Sequence, residues 1–359
     1  MKLSKLVLSV VVGSTVALTS GLIHAADFSG KTIEWIIPFK EGGGSDKWSR
    51  FYAPLLSEAL PGKPTVVVKN VPGAGSTKGA NQFASRAKPD GLTILGTSGS
   101  TQFPYLLNDK RVKYEYKDWN IVLASPTGGV VYVSPKTGIK SAAELKTTTV
   151  PLVYGSQGAT SLDLVPLLAF EMLGAPVEAI FGMKGRSAGR LAFERGEVNI
   201  DYQTSGAYIS KVKPLVAFDK AVPIMSWGAL NAKGEIVRDP SFPNLPSFPE
   251  VYEQAHGKKP SGPAWEAWKA FFAAGFPSQK MVFLPKGTSQ DIVDAYVAAF
   301  EKVISAPDFV SKSAKRLGLY QQVTGSNAGA KLTTAINVSD DAKAWVKDWL
   351  NKKYSVSLD

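Results

Sequence analysis

The chain has 359 residues and a formal net charge of +11, and it contains two histidines and no cysteine. The lack of cysteine excludes disulfides, thiolate metal sites and thiol nucleophiles. His24 lies in the predicted leader, so only His256 would remain for a metal site or a serine-type catalytic triad. We therefore expect no metal, no cofactor and no catalytic residue.

Residues 1–25 form the first predicted element, a secretory signal peptide. Two lysines precede an apolar run at residues 6–18, and small residues lead up to Ala25. The run is shorter than the roughly 20 residues of a membrane-spanning helix. We expect cleavage after Ala25 and export to the periplasm. Loss of Lys2 and Lys5 lowers the net charge from +11 to +9, which still favours small anionic partners.

The most informative element follows directly: a strand that ends in a glycine loop and continues into a helix. Residues 32–39 have the apolar composition of a buried strand, and Gly42, Gly43 and Gly44 precede Ser45 and Asp46. Backbone N–H groups of successive glycines can converge on an anion, and the positive end of the helix dipole adds to the attraction. This loop therefore predicts an anion site.

The same unit of strand, Gly/Ser turn and helix recurs along the chain. Its further turns lie at residues 73–76, 96–100, 155–161 and 185–189. Alternating strands and helices predict an α/β fold with doubly wound parallel sheets, and two such blocks suggest two similar lobes that face one cleft. Tight turns need Gly and Ser whether or not they bind a ligand, so the hypothesis rests on the first loop and residues 155–161 together.

Three charged positions bear on the ligand. Arg186 could fork onto a carboxylate, with Lys184 nearby as a point charge, or both could be exposed loop residues. A carboxylate from Glu41 or Asp163 inside the cleft would repel an anion unless it were paired or turned outward. Residues 228–263, rich in Pro, Gly and Asn, are predicted to be a long surface loop.

The sequence does not contain the motifs typical of nucleotide-binding proteins, serine hydrolases or nucleic-acid-binding modules. The first loop lacks the third glycine of a dinucleotide-binding fingerprint, and no Gly-Lys-Ser or Gly-Lys-Thr closes a glycine loop. No Gly-x-Ser-x-Gly elbow occupies a strand-to-helix turn. The lysines and arginines are scattered and form no basic stripe, so we predict no binding to nucleic acid.

Several loop motifs, in order and spacing, resemble the solute receptors of tripartite tricarboxylate transporters, the Bug-type receptors. They are Pro38-Phe39 with Gly42-Gly43-Gly44-Ser45-Asp46, Pro72-Gly73-Ala74-Gly75, Leu95-Gly96-Thr97-Ser98-Gly99-Ser100, Tyr154-Gly155-Ser156 and Pro285-Lys286-Gly287-Thr288. The resemblance covers nearly the whole mature chain. It implies a two-lobed periplasmic binding fold with crossovers near Ala124 and Trp227. On that pattern residues 26–124 and 229–359 form one lobe, and residues 125–228 form the other.

The resemblance also implies a function. Such receptors hold a carboxylate between the glycine loop and the Gly/Ser loop of the other lobe, and deliver it to integral membrane permease subunits. We expect a monomeric, non-enzymatic receptor for a di- or tricarboxylate or an aromatic acid. A periplasmic enzyme on the same scaffold, and a receptor for a cationic or zwitterionic solute that uses Glu41 and Asp163, remain alternatives.

Loop position and resemblance together give the predicted ligand-binding set. It comprises Phe39, Lys40, Gly42, Gly43, Gly44, Ser45, Asp46, Ser98, Gly99, Ser100, Ser156, Gln157, Ala159, Thr160, Ser161, Asp163, Lys184, Gly185, Arg186 and Gln203. The chain departs from the family pattern at Lys40 and Glu41, at Asp163, and at Met183 and Arg186. The far end of the cleft is therefore specific to this chain.

Overall fold

The computed structural model describes residues 26–231 and 233–358, so the predicted signal peptide lies outside the described residues. This part of the chain forms two main sheets, of six and five strands, and a small two-stranded one. The strands are β1 (Thr32–Ile37), β2 (Thr65–Asn70), β3 (Thr93–Gly96), β4 (Asn120–Ser125), β5 (Gly129–Val133), β6 (Leu152–Gly155), β7 (Val177–Ile180), β8 (Ile200–Thr204), β9 (Val222–Ser226), β10 (Ala229–Leu230), β11 (Ile236–Val237), β12 (Lys280–Leu284) and β13 (Val323–Thr324).

Helices cover both main sheets. They are α1 (Gly44–Ala59), α2 (Thr77–Arg86), α3 (Gly99–Leu106), α4 (Leu164–Leu173), α5 (Arg186–Glu194), α6 (Ser205–Ala207), α7 (Lys213–Ala217), α8 (Phe248–His256), α9 (Pro263–Gly275), α10 (Gln290–Ile304), α11 (Phe309–Leu317), α12 (Gly325–Ile336) and α13 (Asp340–Tyr354).

The first sheet has the strand order β13-β4-β12-β3-β1-β2. Alternate residues of its strands point to opposite faces. On one face Val282 and Leu284 pack with Tyr52 of α1 and Phe300 of α10. On the other face Met281 and Phe283 of β12 pack with Phe83 of α2 and Leu332 of α12. The sheet is thus buried between two helical layers.

The second sheet has the strand order β7-β6-β8-β5-β9. Val131 and Val133 face a core that also holds residues of α4, α8, α9 and α13, while Val130 and Tyr132 pack against α5. The chain leaves the first sheet after Ser125 and returns to it at Lys280. The lobe boundaries expected from the resemblance stay a prediction.

The prediction of two α/β lobes is confirmed, and the sheets prove to be mixed. The strands β1, β2 and β3 pair in parallel, as do β6, β7 and β8. However, β12 is antiparallel to both β3 and β4, and β5 is antiparallel to both β8 and β9. The Gly/Ser turns follow the parallel strands, where strand-turn-helix units repeat. The sequence pattern therefore predicted the parallel part of each sheet and gave no signal for the antiparallel strands.

The prediction of a loop for residues 228–263 is wrong. The segment contains the β10–β11 hairpin and helix α8, which a capping box starts: Glu250 accepts hydrogen bonds from the N–H and Oγ of Ser247, at 2.7 and 2.8 Å. Proline is tolerated in the first helical turn, so Pro249 does not interrupt the helix. Nowhere in the described ranges is a helix both long and apolar enough to cross a membrane.

Candidate functional site

The loops after β1, β2 and β3 meet at one edge of the first sheet, because the three strands are parallel and neighbouring. Ser76, after β2, donates a hydrogen bond from Oγ to the carbonyl oxygen of Ser100, after β3, at 3.1 Å. A Cβ on Gly96 would lie 2.7 Å from Nε1 of Trp35 and 3.0 Å from the ring of Trp48. Glycine at this position therefore lets the first turns of α1 pack over the end of β3.

The glycine loop after β1 contains its own carboxylate. Asp46 is 3% exposed, and its Oδ2 accepts the N–H of Gly42 at 2.8 Å while its Oδ1 accepts Nε of Arg50 at 2.9 Å. Gly42 adopts a φ of +71°, which its lack of a Cβ permits. Asp46, predicted to face the ligand, thus has both oxygens engaged in fixing the loop.

The remaining amides of the same loop are available to a solute. Helix α1 begins at Gly44, and the first N–H groups of a helix have no acceptor within it. Among the residues described, no hydrogen bond satisfies the N–H of Gly43, Gly44 or Ser45. A Cβ on Gly42 or Gly44 would meet nothing within 4 Å, so the space in front of the loop is open.

The residues just before the glycines differ in burial. Phe39 is half-buried against the first-sheet core, and its carbonyl oxygen accepts Nδ2 of Asn70 at 2.9 Å. The side chains of Lys40 and Glu41 are exposed. Glu41 is therefore a solvent-exposed carboxylate directly next to the glycines in the chain, where water screens its charge.

The Gly/Ser loop after β6 satisfies most of its own amides. The N–H of Gln157 donates to Oδ2 of Asp163 at 2.7 Å, and that of Gly158 donates to Oγ of Ser156 at 3.2 Å. The N–H of Ser161 donates to the carbonyl oxygen of Gly158 at 3.1 Å. Within the described part of this loop, the N–H groups without a protein acceptor are those of Ala159 and Thr160.

The Gly/Ser loop contacts the start of α3, which follows β3 of the first sheet. The N–H of Leu162 donates to Oγ of Ser100 at 3.2 Å. Ser98 caps α3 by accepting the N–H of Ser100 at 3.2 Å, which orients that residue. A Cβ on Gly99 would lie 2.7 Å from Cδ1 of Leu162. Gly99 and Ser100 of the predicted set therefore contact Leu162, which lies between the predicted residues Ser161 and Asp163.

Arg186 lies beneath the Gly/Ser loop and binds two internal carboxylates. Its Nη1 donates to Oδ2 of Asp163 at 3.0 Å and to the carbonyl oxygen of Gly155 at 2.8 Å, and its Nη2 donates to Asp201. Its guanidinium lies 4.6 Å from the ring centroid of Tyr202. The side chain is 11% exposed and both aspartates are fully buried. Arg186 thus forks onto carboxylates, as its geometry favours, but onto those of the protein itself.

Electrostatics explain why this cluster can exist in the interior. Burial acts to lower the pKa of Arg186, but the charges of Asp163 and Asp201 outweigh it and hold that pKa well above its ordinary value. Burial raises the pKa of Asp201, although Arg186 and a hydrogen bond from Tyr132 oppose the rise. Nε2 of Gln203 donates to Asp201 at 2.9 Å and to the carbonyl oxygen of Arg186 at 2.8 Å.

The other residues of the predicted set near α5 differ in exposure. Lys184 is exposed, and Gly185 precedes α5 with a φ of +109°. Gln203 is buried in the Arg186 cluster. The structure therefore leaves Lys184 as a peripheral charge and gives Gln203 contacts to protein groups.

Sequence reasoning also missed Asp239, a buried carboxylate at the crossing between the sheets. Asp239 is fully buried, and both its oxygens accept the hydroxyl of Tyr320, at 2.7 and 2.6 Å. That hydroxyl also lies 2.6 Å from Oγ of Ser205, which accepts the N–H of Gly128 at 3.0 Å. Burial raises the pKa of Asp239 to about 6, although the hydrogen bond from Tyr320 acts to lower it. Asp239 lies in the segment predicted as loop, where no motif marked it.

His256 lies away from these loops, at the end of α8. Its ring stacks on Tyr252 with centroids 4.3 Å apart, and Nδ1 lies 3.3 Å from Nζ of Lys146. Partial burial, with the charge of Lys146, lowers its pKa. In the described ranges no group of three or more His, Asp and Glu residues is arranged to hold a metal ion.

Comparison with known proteins places the chain among transport receptors. A sequence model described as "Tripartite tricarboxylate transporter family receptor" matches residues 50–332. A UPF0065 protein of Bordetella pertussis is 28% identical over 308 residues, which are 83% of this chain and 84% of that protein.

Two solved structures share the fold. The periplasmic binding protein BugD superposes with a TM-score of 0.65 at 21% identity, over 92% of this chain and 99% of that one. MatC from Rhodopseudomonas palustris, solved with bound malate, gives a TM-score of 0.64 at 18% identity, over 89% of this chain and 99% of that one. Identities this low carry the two-lobed fold and no detail of the site.

Proposed function

Because the chain belongs to the family of tripartite tricarboxylate transporter receptors, which are solute-binding proteins and not enzymes, we propose that it captures a small carboxylate between its two sheets. The solute class is a di- or tricarboxylate or an aromatic acid. The chain is exported through residues 1–25, acts as a monomer in the periplasm, and hands the solute to integral membrane permease subunits. We assign residues 26–124 and 229–359 to one lobe and residues 125–228 to the other, with α8, α9 and α13 of the first lobe packed against the second sheet.

One observation carries the proposal: amides without a protein acceptor occur on both sides of the contact between the sheets. Gly43, Gly44 and Ser45 supply three on the first side, and Ala159 and Thr160 supply two on the second. A carboxylate has about four lone-pair sites, enough to accept hydrogen bonds from donors on both sides. MatC, with its bound malate, supports a carboxylate as the class of solute.

The alternative of a cationic or zwitterionic solute is not favoured by the positions of the two carboxylates that it requires. It needs both Glu41 and Asp163 to face the solute, but Asp163 is buried and paired with Arg186, which leaves the exposed Glu41 alone. Asp163 also accepts hydrogen bonds from Gln157 and Ser156. Its charge is therefore compensated within the protein, and the carboxylate proposal needs no further cation to offset it.

Calorimetric titration tests the proposal. The chain from Ala26 onward, unfolded and refolded to remove any bound solute, is titrated with acetate, malate, adipate, citrate and benzoate, and with the diamide of malate as an uncharged control. We expect saturable binding of at least one acid and none of the diamide. Failure to bind any of the acids, by protein that has regained its native circular dichroism, would contradict the proposed function.

A further inference from the structure

Lys280 is a cation at the end of the first sheet where the loops after β1, β2 and β3 meet. No sequence motif indicated it. It is the first residue of β12, and the pairing of Val282 with Gly96 places it just beyond the end of β3. The N–H of Thr97 donates to the carbonyl oxygen of Met281 at 2.9 Å, which confirms this register. Lys280 therefore lies level with the loop that follows β3.

The side of the sheet on which Lys280 lies is also fixed. Lys280 alternates with Met281 and shares the face of Val282, which packs in the core of α1 and α10. It is paired with Ser125, whose Oγ accepts Nε1 of Trp48 at 3.0 Å. Since Trp48 belongs to the second turn of α1, Lys280 and the glycine loop lie on one side of the sheet, at one edge.

The ammonium of Lys280 has no anionic partner in the described chain. Its Nζ donates to Oε1 of Gln279 at 2.5 Å, and no carboxylate lies within salt-bridge distance. Burial alone lowers its pKa to about 8, so the group still carries most of its charge at neutral pH. A charge that is desolvated and unpaired is costly to folding, and an anion that binds beside it removes that cost. Lys280 retains partial exposure, which gives a solute access.

The other basic residues of the predicted site do not provide an unpaired, partly desolvated charge. The guanidinium of Arg186 is committed to Asp163 and Asp201, while Lys40 and Lys184 are exposed, where water screens their charge. Lys280 combines a charge, partial desolvation and a position on the same side and at the same end of the first sheet as the glycine loop.

We propose that Lys280 is a ligand-binding residue that pairs with a carboxylate group of the solute, on the side of the cleft formed by the first sheet. This inference rests on the proposed function and adds to it the residue that supplies the positive charge. The amides of the glycine loop then orient the carboxylate, and the ammonium supplies the long-range attraction that selects an acid over its amide.

Paired variants and two measurements test this. Lys280→Met removes the charge and keeps much of the aliphatic volume, and Lys286→Met is the control, because Lys286 lies beyond the other end of β12 and pairs with Asp118 at 3.0 Å. We expect Lys280→Met to weaken binding of the tightest acid of the panel by about 10- to 100-fold. The control should stay within about twofold of the parent protein, as expected for an exposed pair.

Thermal unfolding of the ligand-free proteins separates binding from a structural role. Loss of an unpaired, desolvated charge should leave the Tm of Lys280→Met equal to or above that of the parent, whereas a structural role would lower it. Lys280→Gln serves the same purpose if the methionine variant does not fold. Unchanged affinity in either folded variant would overturn the assignment of Lys280 and leave the proposed function standing. An absence of binding by the parent protein to all five acids would overturn both.

Discussion

At the residue scale, Gly43 is the position where a side chain should harm binding most directly. A Cβ there would lie 3.3 Å from the carbonyl oxygen of Lys40, and a branched side chain would cover the amides of the loop. We expect Gly43→Val to reduce affinity for the tightest acid by on the order of tenfold or more, because the carboxylate could no longer approach the backbone. Calorimetry of the folded variant measures this, and an unchanged Kd would remove the loop from the site.

Arg186 should matter for folding more than for attraction of the solute. Removal of its guanidinium leaves Asp163 and Asp201 buried without their cation, and breaking a buried pair in this way costs about 3 to 5 kcal/mol. We expect Arg186→Met to lower the free energy of unfolding by that amount. The exposed neighbour gives a control, since Lys184→Met should change it by less than about 0.5 kcal/mol. Equal free energies of unfolding for the two variants, measured by urea denaturation, would show that the Arg186 cluster does not stabilise the fold.

The residues also show where sequence reasoning stops. The sequence predicted that Arg186 could fork onto a carboxylate, and the fork exists. Its partner could not be foreseen, because Asp163 and Asp201 reach it only after β6 and β8 pair in the second sheet. A guanidinium beside a glycine looks the same in sequence whether its carboxylate comes from a solute or from the protein.

At the scale of elements, a hydrogen bond between Asp239 and Tyr320 joins the segments that cross between the two sheets, and we expect its strength to depend on pH. Asp239, from the segment between β11 and α8, meets Tyr320, which precedes β13 of the first sheet. Leu319 adds a hydrogen bond from its N–H to Oγ of Ser241 at 3.0 Å. The segment that carries Asp239 packs on the second sheet, where Phe242 and Leu245 join the core of Val130 and Tyr132. These contacts tie the two sheets together.

The raised pKa of Asp239 predicts how stability depends on pH. The folded chain favours the protonated carboxyl up to about pH 6, whereas the unfolded chain loses that proton near pH 4. This group therefore stabilises the fold below about pH 4, and its contribution is lost as pH rises to 6, by roughly 3 kcal/mol at most. Relative to Asp239→Asn, the parent protein should be more stable at pH 4.5 than at pH 7.

Chemical denaturation of parent and variant at several pH values measures that difference. Glu253→Gln, at an exposed carboxyl of α8, is the control and should track the parent at every pH. A difference between parent and Asp239→Asn that stayed constant from pH 4 to 7 would contradict the raised pKa.

The sequence predicted some strands and helices correctly and missed others. The strand before the glycine loop and the helix after it were predicted and are present as β1 and α1, because hydrophobic pattern and loop composition agree there. Helix α8 was missed because Pro, Gly and Asn dominate the surrounding segment, although Ser247 and Glu250 have the spacing of a capping box. The antiparallel place of β12 could not be read from sequence, since its partners β3 and β4 are more than 150 residues away along the chain.

At the scale of the whole molecule, each sheet supplies one of the two loops that the proposed site requires. Each side uses some of its polar groups to fix its own loop, through Asp46 on the first sheet and Asp163 on the second. In the described part of the chain, each side also has a short run of amides without a protein acceptor. The resemblance in sequence predicts that these two loops face each other, and the structure identifies which of their amides have no acceptor among the described residues.

The central claim is that a carboxylate binds between these two runs of amides, and a crystal structure of the protein saturated with its tightest acid tests it most directly. We predict carboxylate oxygens within hydrogen-bond distance of amides from Gly43, Gly44 or Ser45 and, on the opposite side, of Ala159 or Thr160. A solute bound elsewhere, such as in the surface groove between α1 and α11 that Phe51 and Phe309 line, would contradict the account. So would a solute in the cleft that contacted the loops of one sheet alone.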